Sequence, residues 1–246
     1  MHAVNGKKNL IVDLYNLNHS KHNETNNKPC FYIADLDFDG ILEKKMISDA
    51  NFIYLNRYSI ENYLVDENAG AVIVNGRTNE GLKNCKNKLN YSNWIDTINN
   101  SYKKLLIVYM IAQKLDLDVP NAGLNVARFT KKEKPQLLEE IKITKYLKTE
   151  FYKEYRNRKK TGFIRLYLYL EEKVTNMYGK DIWKIIPGKQ LLSLYICYLN
   201  TLIDNKHLNK SDFENLSSHT CDLSNFTFIK SAIIKYMENF ADSAVS

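Results

Sequence analysis

Apolar positions along this chain follow two different periods. Between residues 8 and 18, Leu10, Ile11, Leu14, Tyr15 and Leu17 recur at helical spacing, which predicts a helix. The polar run NHSKHNETNNKP at 18–29 predicts a loop. Two short apolar runs follow, CFYIAD at 30–35 and NFIYL at 51–55, and each predicts a strand. SIENYLVDE opens with Ser59 at an N-cap position and predicts a short helix, because a hydroxyl there can satisfy an orphan amide. AVIVN at 71–75, closed by Gly76, predicts a third strand.

From about residue 92 the helical period takes over. The pattern predicts helices over 92–116, 135–158, 163–178, 188–204 and 226–241, with an extended segment at 123–129. Pro135 suits a first helical turn, where its missing N–H costs nothing, and Gly179 suits a helix end. The expected fold class is therefore α/β, a small α/β unit over 1–90 followed by a mainly α-helical region over 91–246.

Composition narrows the class. Apolar residues make up 44% of the 246 and charged residues 26%, the balance of a packed globular protein rather than a disordered one. No apolar run approaches 18 residues, so no membrane span is expected. The N-terminus shows no apolar signal segment, and Cys30, Cys85, Cys197 and Cys221 form no CxxC pair. A cytoplasmic protein without a disulfide framework is the expectation.

The net charge of +7 is concentrated. Residues 128–165 hold thirteen Lys/Arg and five Asp/Glu, 13 − 5 = +8, so the rest of the chain is close to neutral. Such a segment is the footprint of a surface facing phosphate, with Lys131, Lys132, Arg156, Arg158, Lys159 and Lys160 as candidate nucleic-acid contacts. A solvated helix face gives the same pattern.

The chemistry-bearing stretch is FYIADLDFDG at 31–40, an apolar run ending in Asp35, Asp37 and Asp39. If the extended geometry continues, Asp35 and Asp37 share one face just beyond the carboxyl end of a strand. Carboxylates crowded there repel unless a cation neutralises them, and hard oxygen donors suit Mg²⁺, Mn²⁺ or Ca²⁺. An EF-hand is excluded because the twelfth position from Asp35 is Met46, where a bidentate glutamate is required. A haloacid-dehalogenase-like phosphatase would want Thr or Val at Asp39, and no GxxxxGK[ST] is present for an ATPase.

Four segments in order carry a more specific likeness: GKKNLIVDLY at 6–15, ADLDFDG at 34–40, RYSIENYL at 57–64 and PGKQLL at 187–192. With them the chain resembles the TOPRIM-like nucleases that accompany ATPases in bacterial anti-phage operons, such as the effector subunits of PARIS systems. The resemblance implies a Mg²⁺- or Mn²⁺-dependent endonuclease, a hydrolase of phosphodiester bonds in RNA (tRNA included) or DNA, working with an ATPase partner. It implies Asp35 and Asp37 as metal ligands, Asp39 as a third acidic position, and Glu61 as a residue for a second metal or for positioning water. Ser59 and Asn62 become capping or supporting groups. The family also carries a glutamate at the end of an earlier strand. Only five residues precede Gly6 here, so the TOPRIM-like unit is expected to be partial, incomplete at its N-terminus. Two outcomes stay open: an active nuclease, or a catalytically degenerate protein that binds nucleic acid or an ATPase. A homo-oligomer is compatible with both.

Overall fold

A computed structural model describes residues 8–20, 29–131, 133–134, 136–203 and 207–245. Helix α1 (Lys8–Ser20) leads into two short parallel strands, β1 (Tyr32–Ala34) and β2 (Phe52–Tyr54), in register Tyr32↔Phe52, Ile33↔Ile53 and Ala34↔Tyr54. Parallel strands need a crossover of a dozen or more residues. Here residues 35–51 supply it, turning Phe38, Ile41 and Leu42 into the core. Helix α1 covers the sheet through Tyr15, whose ring meets Tyr32 and Phe52 edge-on and whose hydroxyl donates to Asp49 Oδ2 at 2.7 Å. The first residues of the GKKNLIVDLY segment, Gly6 and Lys7, lie outside the described residues.

The remainder is helical: α2 (Glu61–Leu64), α3 (Glu67–Thr78), α4 (Leu82–Leu89), α5 (Tyr91–Lys114), α6 (Glu140–Tyr146), α7 (Tyr152–Asn157), α8 (Phe163–Tyr178), α9 (Gly188–Asn200), α10 (Lys210–Thr220) and α11 (Thr227–Val245). Helix α5 is the spine. Leu105 through Ala112 are buried on every face, the signature of a helix surrounded by others. One apolar cluster runs from Phe38 to Phe213, so the sheet crossover, α5 and α9 share a single core that crosses residue 90. No helix of the described residues is long and apolar enough to cross a membrane.

Three sequence expectations are corrected. AVIVN (71–75) is not a strand but the middle of α3. The Asp66 carboxylate accepts the Ala69 amide at 2.9 Å and starts the helix there, which places Ala69, Ala71, Ile73 and Val74 on the buried side. Small residues at 69–71 admit α9: the Tyr195 hydroxyl donates to Asp66 O at 2.8 Å, and a Cβ on Gly70 would overlap it. The extended segment at 123–129 closes instead into a 3₁₀ turn, Val126–Phe129, capped by Asn125. The 135–158 helix begins only at Glu140, because Leu138 pairs with Thr130 as an isolated bridge; a π-turn at Leu147–Phe151 joins α6 to α7, and Pro135 lies outside the described residues. Helices α4 and α10 were not expected.

Candidate functional site

The aspartates do not continue a strand. Strand β1 stops at Ala34, and Asp37 adopts a left-handed conformation, φ 51°, with its amide donating to Tyr58 O at 2.9 Å. The chain then turns, so Phe38 goes inward and the acids stay at the rim. Asp35 and Asp37 nevertheless converge. They line one cavity of about 140 Å³ together with Tyr58, Ser59, Glu61, Pro187, Gly188 and Lys189. Three of the four segments that carry the family likeness thus meet at one place.

Glu61 arrives on the first turn of α2. The Asp35 carboxylate accepts the Ile60 amide at 3.2 Å and fixes the start of that helix beside the aspartates. Tyr58 packs edge-on to Phe38 at 4.9 Å, beneath the cavity. Burial first, then the negative charge of Asp37, Asp35, Asp39 and Glu61, pushes its hydroxyl well above the ordinary tyrosine range. A single phenol therefore senses all four acids.

Asn62 binds the two halves of the site together. It is fully buried, and its Oδ1 accepts the Ser59 amide at 3.1 Å and the Ser59 hydroxyl at 3.2 Å. Its Nδ2 donates to Ile186 O at 3.0 Å, just ahead of the PGK segment. Ser59 is thus not the side-chain cap of α2, which starts after Ile60 without one. The capping chemistry runs the other way, from the helix back to Ser59. Gly188 sits against this junction: a Cβ there would lie 2.8 Å from Asn62 Oδ1 and 3.1 Å from Glu61 Cβ, and would overlap Ser59 Oγ. Lys189, exposed at the start of α9, is the site residue that motif reading passed over; a cation lining the same cavity as three carboxylates is the signal that only the fold reveals.

Asp39 goes elsewhere. Its carboxylate pairs with Lys44 Nζ at 3.0 Å and does not line the cavity. The basic candidates divide as well. Arg156, Arg158, Lys159 and Lys160 gather at the exposed end of α7, where Arg158 is already paired with Glu154 at 2.7 Å. Lys131 is exposed on the segment beside the Thr130–Leu138 bridge, and Lys132 lies outside the described residues. Arg128 pairs with Glu150 and Lys142 with Glu139, so part of the +8 segment is neutralised locally.

Among the described residues no group of three or more His, Cys, Asp or Glu is drawn together tightly enough to hold a metal ion by itself. Mg²⁺ does not require such a cage, since it is commonly held by one or two carboxylates and keeps several waters for substrate phosphate to replace. The all-oxygen donors of Asp35, Asp37 and Glu61 around one small cavity fit that ion in kind. Comparison of the chain with protein-family models, with curated proteins and with solved structures finds no match.

Proposed function

We propose that the chain is a metal-dependent, TOPRIM-like nuclease effector that hydrolyses phosphodiester bonds in RNA or DNA, acting in anti-phage defence under an ATPase partner. The observation that supports it is the convergence of Asp35, Asp37 and Glu61 with Lys189 in one cavity, from three segments far apart in sequence. Asp35 and Asp37 would hold Mg²⁺ or Mn²⁺, with Glu61 completing the oxygen donors. When bound, the ion supplies Lewis-acid polarisation of a phosphoryl oxygen and a more acidic water. The protein's own part is positioning. Lys189 and the amino-terminal end of α9 present positive charge to a phosphate. Glu61, held close to Gly188 by the Asn62 junction, orients water within the cavity. Asp35 links the acid cluster to α2 by its bond to Ile60.

The test has two readouts. Mn²⁺ binding is measured by calorimetry on the wild-type chain and on Asp37→Ala, and cleavage is assayed on tRNA, single-stranded DNA and duplex DNA. Metal stabilisation of transition-state charge is worth several kcal/mol, so Asp37→Ala should lower cleavage by at least about 100-fold and weaken Mn²⁺ in parallel. Cleavage that survives the substitution refutes the site. Bound Mn²⁺ with no cleavage of any substrate refutes the enzyme and leaves a binding module.

A further inference from the structure

A second cavity lies on the other side of the same chain segment. Residues 58, 59 and 61 face the acidic cavity, whereas Asn56 and Arg57 face a separate one of about 280 Å³, lined also by Tyr178, Asp181, Lys184 and Asn225. The two share no lining residue. The feature that sets this second cavity apart is Arg57. It is only 7% exposed, yet its partners are all neutral. Nη1 donates to Asn62 O at 2.9 Å and Nη2 to Asn225 Oδ1 at 2.8 Å. The guanidinium lies over the faces of Tyr63 and Trp183, 4.4 and 4.7 Å from the ring centroids. No carboxylate of the described residues lies within 4.0 Å of it.

A guanidinium carries five N–H donors in a rigid fork, and two of them are spent here. Buried charges are ordinarily paired, because removing one from water without a counter-ion is costly. Asp66, Asp181 and Asp222 act on Arg57 only at longer range, and none is in contact with it. Lys184 and Asp181 pair with each other at 2.8 Å, so the three charged residues at its walls sum to one net positive charge, that of Arg57. Asn56 adds an amide beside it, whereas Asn225 is engaged already, its Oδ1 accepting from Arg57 and its Nδ2 donating to Asp222 O at 3.0 Å. A planar cation with open donors, a second cation within the same walls and neutral amides around them match a tetrahedral oxyanion.

We propose that this cavity is a phosphate-binding pocket with Arg57 as its anchoring cation and Lys184 as its adjustable one. The phosphate belongs either to a free small molecule, such as a 5′-mononucleotide, or to the backbone of a nucleic-acid strand. Because the pocket shares no lining residue with the acidic cavity, the proposal stands whether or not the chain cleaves anything.

The experiment is isothermal titration of the full chain with inorganic phosphate and with 5′-AMP, in EDTA, at an ionic strength fixed with chloride. EDTA removes divalent ions, so anion binding through a metal at Asp35 and Asp37 does not contribute. Saturable binding is expected. Arg57 is buried and its replacement risks the fold, so the deciding variants are at the partly exposed pair. Lys184→Gln should weaken phosphate at least fivefold. Asp181→Asn should tighten it severalfold, since it removes a like charge and frees Lys184. A purely structural Arg57 predicts no response to either. Absence of saturable binding of both probes, or binding indifferent to both variants, overturns the proposal. A short single-stranded oligonucleotide that displaces phosphate from the wild type identifies a strand backbone; displacement by 5′-AMP alone identifies a free ligand.

Discussion

Gly188 is the position at which the packing of the site can be measured with one methyl group. It is the first residue of α9, it is buried, and its φ is not in the left-handed region, so the glycine is kept for space and not for backbone freedom. A Cβ would overlap Ser59 Oγ and press on Asn62 Oδ1 at 2.8 Å and Glu61 Cβ at 3.1 Å. The serine hydroxyl can rotate away. The asparagine oxygen cannot, because it holds the Ser59 backbone amide while the same side chain's Nδ2 is tied to Ile186 O. Nor can a Cβ move without the α2 backbone. Gly188→Ala must therefore push α9 off α2. Overpacking of this kind costs about 1–3 kcal/mol, and for a chain of this size each kcal/mol lowers Tm by roughly 2–4 °C. A fall of about 2–12 °C is expected in a thermal melt, with Lys189 displaced relative to the acids and Mn²⁺ affinity reduced. Gly76→Ala is the matched control. It makes the same chemical change inside α3, where nothing lies within 4 Å of the new methyl. There the reduced entropy of the unfolded chain should stabilise by about 0.4–1 kcal/mol. Two glycine-to-alanine changes of opposite sign would support the close approach. A Gly188→Ala melt that matches or exceeds the wild type would refute it.

Three further outcomes are expected. Asn62→Ala leaves the Ser59 amide and the Ile186 carbonyl without their partner in a buried setting, at about 1–3 kcal/mol for each unsatisfied group; urea unfolding should register a loss of roughly 2–6 kcal/mol, and a loss under about 1 kcal/mol would remove Asn62 from its joining role. The Tyr15–Asp49 contact makes the docking of α1 pH-dependent at both extremes. The hydrogen bond from Tyr15 holds the Asp49 carboxyl below its usual range, so this contribution is present above the ordinary carboxylate range and is lost as pH falls through the lowered value. The same bond, with burial and the Asp49 charge, pushes Tyr15 up to about 12, so its contribution is lost as pH rises through that point; in Asp49→Asn, NMR of ring-labelled tyrosine should show Tyr15 titrating near an ordinary value of about 10, and an unmoved midpoint would sever the pair. Replacing Arg156, Lys159 and Lys160 together by Gln should leave the melt unchanged, since all three are exposed. If they touch phosphates, the slope of log K against log salt for single-stranded nucleic acid should fall by about 2, at roughly 0.7 per contact; an unchanged slope would make them a solvated helix end.

The elements with one clear period were legible. The 163–178 pattern is helix α8, Phe163–Tyr178, with Gly179 at its end: Phe163, Leu166, Tyr167, Leu170 and Val174 recur at helical spacing and pack on the core, although Ile164 and Leu168 remain exposed. The two strands were found from their apolar runs. AVIVN was not, because its β-branched residues carry a strand propensity that packing overrides: the Asp66 cap sits five residues upstream, and the small residues at 69–71 matter only once Tyr195 is known to lie against them. The break in the 135–158 pattern is of the same kind. The bridge between Thr130 and Leu138, with the Glu139 amide donating to Phe129 O at 2.7 Å, keeps Leu138 and Glu139 out of the helix, and no local pattern announces a pairing with residues upstream of the predicted helix.

The acidic stretch shows why a motif can name the right residues for the wrong geometric reason. Alternation in FYIADLDFDG suggested a strand with Asp35 and Asp37 on one face, and by that rule Asp39 would join them. The chain instead turns at Asp37, and the burial of Phe38, Ile41 and Leu42 decides which acids remain together. Asp35 and Asp37 stay at the cavity because one is held by the Ile60 amide and the other by its own amide on Tyr58 O, both of them ties to residues 58–60. Asp39, beyond the turn, finds Lys44. The pairing of α2 with α9 then brings Lys189 to the same cavity as the acids, and that pairing depends on Asn62 and Gly188, neither of which carries charge. The chemistry of the site is thus written in charged residues, but its assembly rests on a buried amide and a missing side chain. Substitutions at Asn62 and Gly188 should therefore impair metal binding without altering a single candidate ligand.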